Sequence, residues 1–272
     1  MGKRVVFTDL DGTLLDPFTY SYEESLPALR ALRREGIPVV FCSAKTRLEI
    51  LALRAELGVQ DPFVAENGAA VFIPRGYFNL KLEERAQELN SLLVVELGAR
   101  LEEFKWVIEE ELVKLGCGYS LFSEMSAEEI AEETGLTVEM AGYAKAREYS
   151  ETIKIDGGRK LAVKVLRALE SRGLSCTAGE RFLTVTSGGV SKGRAVKVLQ
   201  GLYEEAYGPL LTYGFGDSYN DLSMLREVDV PVLVKRPSGN WIEADLPVLL
   251  RVDEVGPRGF RRGVELVLGL KL

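Results

Sequence analysis

Two aspartates stand two residues apart at the end of a short apolar run, in the sequence VVFTDLDGTL at positions 5–14. The β-branched and aromatic residues before Asp9 are typical of a strand buried on both faces of a parallel sheet. Gly12 marks a turn immediately after Asp11. Carboxylates at the carboxyl end of such a strand lie where α/β folds place their chemistry. The pair therefore predicts a nucleophile and an acid that share a divalent cation.

The chain contains no histidine. This excludes catalysis by Ser-His-Asp or Cys-His pairs, and it excludes metal sites built on histidine. Proton transfer must use carboxylates, lysine or tyrosine, and a metal site must be rich in oxygen, which favours Mg²⁺, Mn²⁺ or Ca²⁺ over Zn²⁺. The three cysteines, Cys42, Cys117 and Cys176, are too far apart for a CxxC motif and indicate no disulfide framework.

The length and charge of the chain limit its class. Its 272 residues suit one large domain or a core with an inserted second domain. A net charge of −7 disfavours a general nucleic-acid binder. No apolar run reaches the ~18 residues that a membrane span needs. Because the chain enters a predicted strand at once, we expect no signal peptide. We expect a cytoplasmic protein that binds neither nucleic acid nor membrane.

Three further polar groups occupy comparable positions. Ser43 follows a predicted strand, Lys192 begins a predicted helix, and the sequence GDSYND at 216–221 follows another strand. In a doubly wound sheet these groups meet the aspartate pair at one edge.

This combination suits phosphoryl transfer. One carboxylate can attack phosphorus and form an acyl phosphate, while the second moves the proton. A hydroxyl and an ammonium group can hold the phosphoryl oxygens, with backbone donors from helix N-termini. A divalent cation offsets the repulsion between carboxylate and phosphate, and Mg²⁺ fits this role best.

The elements that must position these groups alternate between strand and helix at both ends of the chain, which predicts an α/β fold with a parallel sheet. The middle is a different mixture and predicts an inserted α+β unit. We predict a core formed by residues 1–80 and 188–272, with an insertion at 81–187. The predicted core strands cover 5–9, 39–42, 63–65, 71–73, 211–215 and 230–234, and the core helices cover 22–35, 46–57, 192–207, 221–226 and 260–268. Within the insertion we predict helices near 100–115, 127–134, 138–144 and 159–171 and strands at 148–155, 175–178 and 182–186.

The polar motifs resemble those of the haloacid dehalogenase (HAD) superfamily of aspartyl phosphatases. The sequence DLDGTL at 9–14 matches the first motif, Ser43 the second, Lys192 the third and residues 216–221 the fourth, in the family's order. The long gap between Ser43 and Lys192 marks members whose cap follows the second motif. The resemblance thus implies a Rossmann-like core with a parallel sheet and an inserted α+β cap of the C2B type.

The same resemblance implies roles for individual residues. Asp9 is expected to be the nucleophile and Asp11 the acid/base, while Ser43 and Lys192 hold the phosphoryl oxygens. Asp9, the carbonyl group of Asp11 and Asp217 are expected to bind Mg²⁺.

The chain resembles mannosyl-3-phosphoglycerate phosphatases more closely still. The matching stretches are 66–69, 146–151, 179–182, 191–193, 216–222 and 256–260. This implies that the substrate is a small phosphorylated sugar-glycerate, 2-O-mannosyl-3-phosphoglycerate, and that the product is the compatible solute mannosylglycerate. We expect substrate contacts from Thr13, Lys45, Glu66, Asn67, Gly68, Arg147, Ser150, Arg181 and Asn220. The chain departs from the family pattern at Ser191, Glu180 and Thr184, where Asp, Gly and His are usual.

Several of these residues could have a structural role instead of a functional one. Ser43 could cap a helix that starts near Lys45. Residues 66–68 could form a plain turn, because Asn-Gly favours turns. Asp221 could be an acid at a helix N-terminus or could orient Lys192.

Other functions also remain open. Glucosyl-3-phosphoglycerate differs from the mannosyl compound in the stereochemistry of one hydroxyl, and a broader sugar-phosphate phosphatase is a further alternative. A phosphomutase uses the same core, usually with another cap. A protein of a different class would bind Mg²⁺ and phosphate without turnover, although the intact acid Asp11 argues against it.

Overall fold

The structure, a computed structural model, describes residues 2–82, 84–179, 181–270 and 272. The described residues form thirteen strands and nine α-helices. The strands are β1 (Lys3–Thr8), β2 (Val39–Cys42), β3 (Phe63–Ala65), β4 (Ala70–Pro74), β5 (Gln87–Leu89), β6 (Leu92–Glu96), β7 (Gly118–Leu121), β8 (Ser150–Asp156), β9 (Leu174–Ala178), β10 (Phe182–Ser187), β11 (Leu210–Gly216), β12 (Val230–Lys235) and β13 (Leu250–Val255). The helices are α1 (Leu26–Arg34), α2 (Arg47–Leu57), α3 (Leu101–Leu115), α4 (Ala127–Thr134), α5 (Val138–Lys145), α6 (Gly158–Ser171), α7 (Lys192–Tyr207), α8 (Leu222–Leu225) and α9 (Gly256–Leu268). None of these helices is both long and apolar enough to cross a membrane.

The main sheet has nine strands in the order β13-β12-β11-β1-β2-β3-β4-β6-β5. The strands from β13 to β3 run parallel, whereas β4, β6 and β5 pair antiparallel at one edge. The change of direction follows from the chain, because the three-residue 3₁₀ turn Glu66–Gly68 between β3 and β4 is too short for a parallel crossover. The predicted α/β fold is confirmed, with antiparallel strands added at one edge of the parallel sheet.

A second, four-stranded antiparallel sheet has the order β7-β8-β10-β9. Alternate residues of β8 and β10, including Ile153 and Val185, pack against α3 and α6 in a separate apolar cluster. This sheet with its helices is the inserted cap, which confirms the predicted α+β insertion.

The first strands after the predicted domain boundary at residue 80 belong to the main sheet. Both β5 and β6 pair there, although they lie within the range 81–187. We propose on this pairing that the insertion starts after Glu96, and the division of the chain into domains stays a prediction.

The core surrounds the main sheet on both faces. In β1, Val6 packs into one apolar cluster while Val5 and Phe7 pack into the other, and all three are fully buried. Since β1 lies between β11 and β2, the residues that follow these three strands meet at one edge of the sheet.

Some element bounds differ from the predictions. The helix α7 begins at Lys192 as predicted, with Ser191 as its N-cap accepting from the amide of Arg194. The last helix begins at Gly256 instead of Phe260, because Pro257 fits the first turn of a helix, where no amide hydrogen is needed. Neither β5 nor β13 was predicted, since both are rich in polar residues.

Candidate active site

Asp9 and Lys192 form an ion pair at the end of β1. Lys192 Nζ lies 2.6 Å from Asp9 Oδ1 and 2.6 Å from Asp221 Oδ1. The lysine is only 1% exposed, although lysine is seldom buried unless it is paired. Burial alone would lower the pKa of Lys192, but the two carboxylates raise it above its usual value, so the group stays cationic.

Asp217 follows β11 and packs directly on the loop after Asp11. The hydroxyl group of Thr13 donates to Asp217 Oδ1 at 3.3 Å. Gly12 has a φ of +84°, and a β-carbon there would lie 2.8 Å from Asp217 Oδ2. Only glycine therefore allows this turn to approach the carboxylate so closely. Thr13, an expected substrate contact, is thus placed against Asp217.

Asp9, Asp217 and Asp221 place carboxylate oxygens within 4.8 Å of one another. All three side chains are buried, and among the described residues Lys192 is the cation that hydrogen-bonds to this cluster. Burial and the charge of Asp221 raise the pKa of Asp9 to about 7. Burial, Asp221 and Asp9 likewise raise the pKa of Asp217 well above its usual value. The surplus of negative charge and the oxygen donors fit a divalent cation.

Asp221 uses both of its carboxylate oxygens within the protein. Oδ1 accepts from Lys192, and Oδ2 accepts from the amides of Asp217 and Ser218 at 3.1 and 3.0 Å. The geometry matches both alternatives for Asp221, because it pairs with Lys192 and is also the capping-box acid at the start of the 3₁₀ turn Tyr219–Asp221. We therefore keep Asp9, Asp217 and the carbonyl group of Asp11 as the proposed metal ligands, with Asp221 as a positioning residue.

Asp11 differs from Asp9 in its exposure. Its side chain is 43% exposed, and its Oδ2 lies 3.1 Å from Lys45 Nζ. Lys45 is buried and also lies 3.5 Å from Glu49 Oε1. Burial alone would lower the pKa of Lys45, but Asp11 and Glu49 raise it above its usual value. Asp11 is thus the carboxylate of the pair that is open to a substrate or a water molecule.

Ser43 lies at the end of β2, the neighbour of β1, and is buried. Its hydroxyl group accepts from the amide of Lys45 at 3.2 Å. The N-cap of α2 is instead Thr46, whose hydroxyl group accepts from the amide of Glu49, while Glu49 accepts from the amide of Thr46. The alternative in which Ser43 caps this helix is therefore wrong.

The turn Glu66–Gly68 brings two more expected contacts to this edge. Asn67 Oδ1 accepts from Asn220 Nδ2 at 3.1 Å, while Asn67 Nδ2 is buried and lacks a hydrogen-bond partner within the described part of the chain. Gly68 has a φ of +101°, and a β-carbon there would lie 2.1 Å from the carbonyl oxygen of Ser191. Gly68 therefore packs against the residue before Lys192.

The two cap arginines expected to bind substrate differ in their contacts. Arg147 Nη1 donates to the carbonyl oxygen of Ala44 at 3.3 Å and to Ser150 Oγ at 2.8 Å. Arg147 Nε is buried and unpaired in the described structure. Arg181, by contrast, is exposed and donates to the carbonyl oxygen of Glu133. The structure does not join Arg181 to the aspartate cluster by a hydrogen bond, and Glu180 lies outside the described residues.

Two residues near Asp11 and Lys45, Tyr20 and Glu49, were not among the predicted site residues. The Tyr20 ring lies 5.0 Å from Lys45 Nζ, and Tyr20 has an unusual φ of +59°. Burial and the charge of Asp11 raise the pKa of Tyr20. The position of Glu49 at a helix N-terminus could have been predicted from the sequence, because Thr46-x-x-Glu49 is a capping-box pattern. No local pattern points to Tyr20, since its contact depends on the path of an irregular loop.

A family model defines the class of protein, and two solved structures share its fold. A family model described as haloacid dehalogenase-like hydrolase matches residues 6–244. The chain also aligns with a sugar phosphatase of HAD subclass IIB at a TM-score of 0.64 and 19% identity, covering 98% of this chain and 99% of that one. A structure from Thermoplasma acidophilum gives a TM-score of 0.67 at 19% identity, covering 98% and 100%. The chain belongs to the haloacid dehalogenase-like hydrolases, as predicted.

More similar relatives define the group within that family. The chain is 35% identical over 268 residues to a glucosyl-3-phosphoglycerate/mannosyl-3-phosphoglycerate phosphatase of Methanococcoides burtonii, covering 98% of both chains. A protein of the same description from Persephonella marina is 36% identical and covers 97% of both chains. A mannosyl-3-phosphoglycerate phosphatase of Pyrococcus horikoshii is 38% identical over 236 residues, covering 85% of this chain and 90% of the relative. The chain is thus a member of this group of HAD phosphatases.

Proposed function

We propose that the protein is a Mg²⁺-dependent phosphomonoester hydrolase that acts through an aspartyl phosphate. The observation that carries the proposal is the asymmetry of the aspartate pair. Asp9 is buried against Lys192, whereas Asp11 is open to solvent two residues later. A nucleophile needs a fixed position, and a group that exchanges protons with a leaving oxygen and with water needs access to both.

In the proposed reaction an oxygen of Asp9 attacks phosphorus, and the bond from phosphorus to the leaving oxygen breaks. Asp11 gives its proton to that oxygen, which departs as an alcohol. Asp11 then takes a proton from a water molecule, whose oxygen attacks the phosphorus of the aspartyl phosphate. Inorganic phosphate leaves, and Asp9 and protonated Asp11 are restored. Lys192 and Ser43 stabilise charge on the phosphoryl oxygens.

Asp9, Asp217 and the carbonyl group of Asp11 would hold the cation. When bound, Mg²⁺ supplies positive charge that offsets the repulsion between these carboxylates and the phosphate. Burial and nearby negative charge raise the pKa of Asp9, which means that its ionised form is destabilised. A bound cation would offset this destabilisation, so the site suits one.

For the substrate we propose 2-O-mannosyl-3-phosphoglycerate, which would give mannosylglycerate. The unpaired Nε of Arg147 and the unpaired Nδ2 of Asn67 are buried donors that suit the anionic oxygens of such a compound. Glucosyl-3-phosphoglycerate is a second candidate, because the relatives from M. burtonii and P. marina carry the names of both substrates.

Phosphate release tests this proposal. The panel contains both glycosyl-3-phosphoglycerates, simple hexose phosphates and 3-phosphoglycerate, each with Mg²⁺ and with a chelator. We expect the highest kcat/KM for the glycosyl-3-phosphoglycerates and loss of release with the chelator. Equal kcat/KM for hexose phosphates would support a broader sugar-phosphate phosphatase. No release from any compound would favour the non-catalytic phosphate-binding alternative.

A further inference from the structure

Glu66 is fully buried at the end of β3, and both of its carboxylate oxygens face the cap. Oε1 accepts from the amide of Glu148 at 3.0 Å. Oε2 accepts from the amide of Tyr149 at 3.0 Å and from the hydroxyl group of Ser150. A core carboxylate therefore receives three donors from consecutive cap residues, which leaves little capacity for a substrate.

The backbone at this turn supports a role for the side chain. Glu66 has a φ of +49° and Asn67 a φ of +61°. This left-handed conformation is readily adopted by glycine and asparagine but is unfavourable for glutamate. A glycine at position 66 would relieve the strain but would lose the carboxylate. Strained residues persist where the surrounding structure holds them, and here the three cap donors do so.

The cap segment bound by Glu66 is anchored to the core in two further ways, both through Tyr149, and to the first cap helix α3 through Glu148. The ring of Tyr149 is buried in the apolar cluster of the main sheet, which also contains Ala65 and Phe72. The hydroxyl group of Tyr149 donates to Glu96 Oε1 at 2.7 Å, at the end of β6. The carbonyl oxygen of Glu148 accepts from the amide of Leu101 at 2.9 Å. Residues 148–150 thus attach the cap beside the point where the chain enters it.

We propose that Glu66 is a positioning residue that pins the start of β8 to the core and so fixes the place of Arg147. Glu66 would then act through the cap and not as a direct substrate ligand, the role that sequence reasoning gave it. The Arg147 guanidinium is shared between Ser150 Oγ, itself bound to Glu66, and the carbonyl oxygen of Ala44, next to Ser43. Loss of the Glu66 carboxylate would release residues 148–150, the segment that directly follows Arg147.

Amide hydrogen exchange tests the attachment without reference to activity. In Glu66→Gln, the side-chain amide group would face a backbone amide, so one of the accepted hydrogen bonds is lost. We expect exchange at the amides of Glu148 and Tyr149 to become faster by roughly tenfold or more, while β1 stays as protected as in the wild type. Unchanged protection at both amides would overturn the proposal.

Kinetics test the consequence, which rests on the proposed function. We expect Glu66→Gln to raise KM for the glycosyl-3-phosphoglycerate on the order of tenfold, with little change in kcat/KM for p-nitrophenyl phosphate, which does not need the cap contact. An equal loss for both compounds would contradict a role through Arg147. If the wild type hydrolyses neither compound, the proposed function fails, and the exchange experiment still decides the attachment.

Two further variants complete the test. Arg47→Gln removes another contact between core and cap, the 2.7 Å ion pair of Arg47 with Glu148. Because Glu148 keeps Arg100 as a partner at 3.8 Å, exchange at Tyr149 and both kcat/KM values should stay within about twofold of the wild type. Ser150→Ala removes one donor without replacing the carboxylate, and it serves if Glu66→Gln does not fold. It should raise KM for the glycosyl-3-phosphoglycerate in the same direction, and an unchanged KM would count against the proposal.

Discussion

The two aspartates of the first motif differ because the chain turns between them. Asp9 continues from β1 into the interior and meets Lys192, while Asp11 lies outside the turn at Gly12 and meets Lys45. The sequence alone was enough to predict a nucleophile and an acid. It did not assign Asp221, because the contacts of that carboxylate join α7 to the loop after β11 across 29 residues.

Asp9→Asn tests the residue on which the reaction depends. An amide of the same size should keep the fold but lacks the nucleophilic oxygen anion, so we expect kcat to fall by about 10³-fold or more. Phosphate release measures kcat, and circular dichroism checks the fold. Activity near that of the wild type would show that Asp9 is not the nucleophile.

Asp221→Asn tests the positioning of Lys192. Loss of one of its two anionic partners should let the ammonium group shift, and we expect kcat to fall roughly tenfold to hundredfold. Asp253→Asn is the matched control, because Asp253 pairs with Lys235 and is 76% exposed. That variant should keep the wild-type kcat. Equal rates for all three proteins would mean that the Asp221 contact has no part in catalysis.

At the scale of elements, the site depends on turns that fit closely together. The N-cap Ser191 was enough to predict the start of α7. The seating of that helix on the turn after β3 was not predictable, because a close approach between distant segments leaves no local pattern. The same limit explains why residues 87–96 were assigned to the insertion, since the pairing of β6 with β4, which also brings β5 into the main sheet, is a long-range contact.

Gly68→Ala tests this seating. The added β-carbon would collide with the carbonyl oxygen of Ser191 and would adopt an unfavourable φ, so the start of α7 must move together with Lys192. We expect a lower kcat and a melting temperature lower by several degrees. Gly201→Ala in the same helix has open space and should be stabilising by about 0.5–1 kcal/mol. A fully active, equally stable Gly68→Ala protein would contradict the packing argument.

At the scale of the whole molecule, the buried charges link stability to pH and to metal. Without a cation, the folded-state pKa of Asp9 is raised from 3.8 to about 7, and that of Asp217 is also raised. The folded protein then binds more protons than the unfolded chain between these values, so its stability decreases as the pH rises through this window.

Thermal unfolding with a chelator and with Mg²⁺ measures this effect. We expect the metal-free protein to melt several degrees higher at about pH 5 than at about pH 8, and Mg²⁺ to raise the melting temperature mainly at the higher pH. Asp217→Asn should weaken the response to both pH and Mg²⁺. A melting temperature that does not change on addition of Mg²⁺ at about pH 8 would contradict the proposed metal site.

The division of labour between Asp9 and Asp11 is tested most directly by trapping the covalent intermediate. The Asp11→Asn variant cannot deprotonate the attacking water, so it should hold the phosphoryl group once the substrate has reacted. The variant would be mixed with Mg²⁺ and p-nitrophenyl phosphate, whose leaving group needs no proton from Asp11, then quenched in acid and digested with pepsin for mass spectrometry. We predict one added phosphoryl group on Asp9, absent from the Asp9→Asn/Asp11→Asn protein. Phosphate released in solution without any phosphorylated peptide, or a phosphoryl group on another residue, would contradict the account.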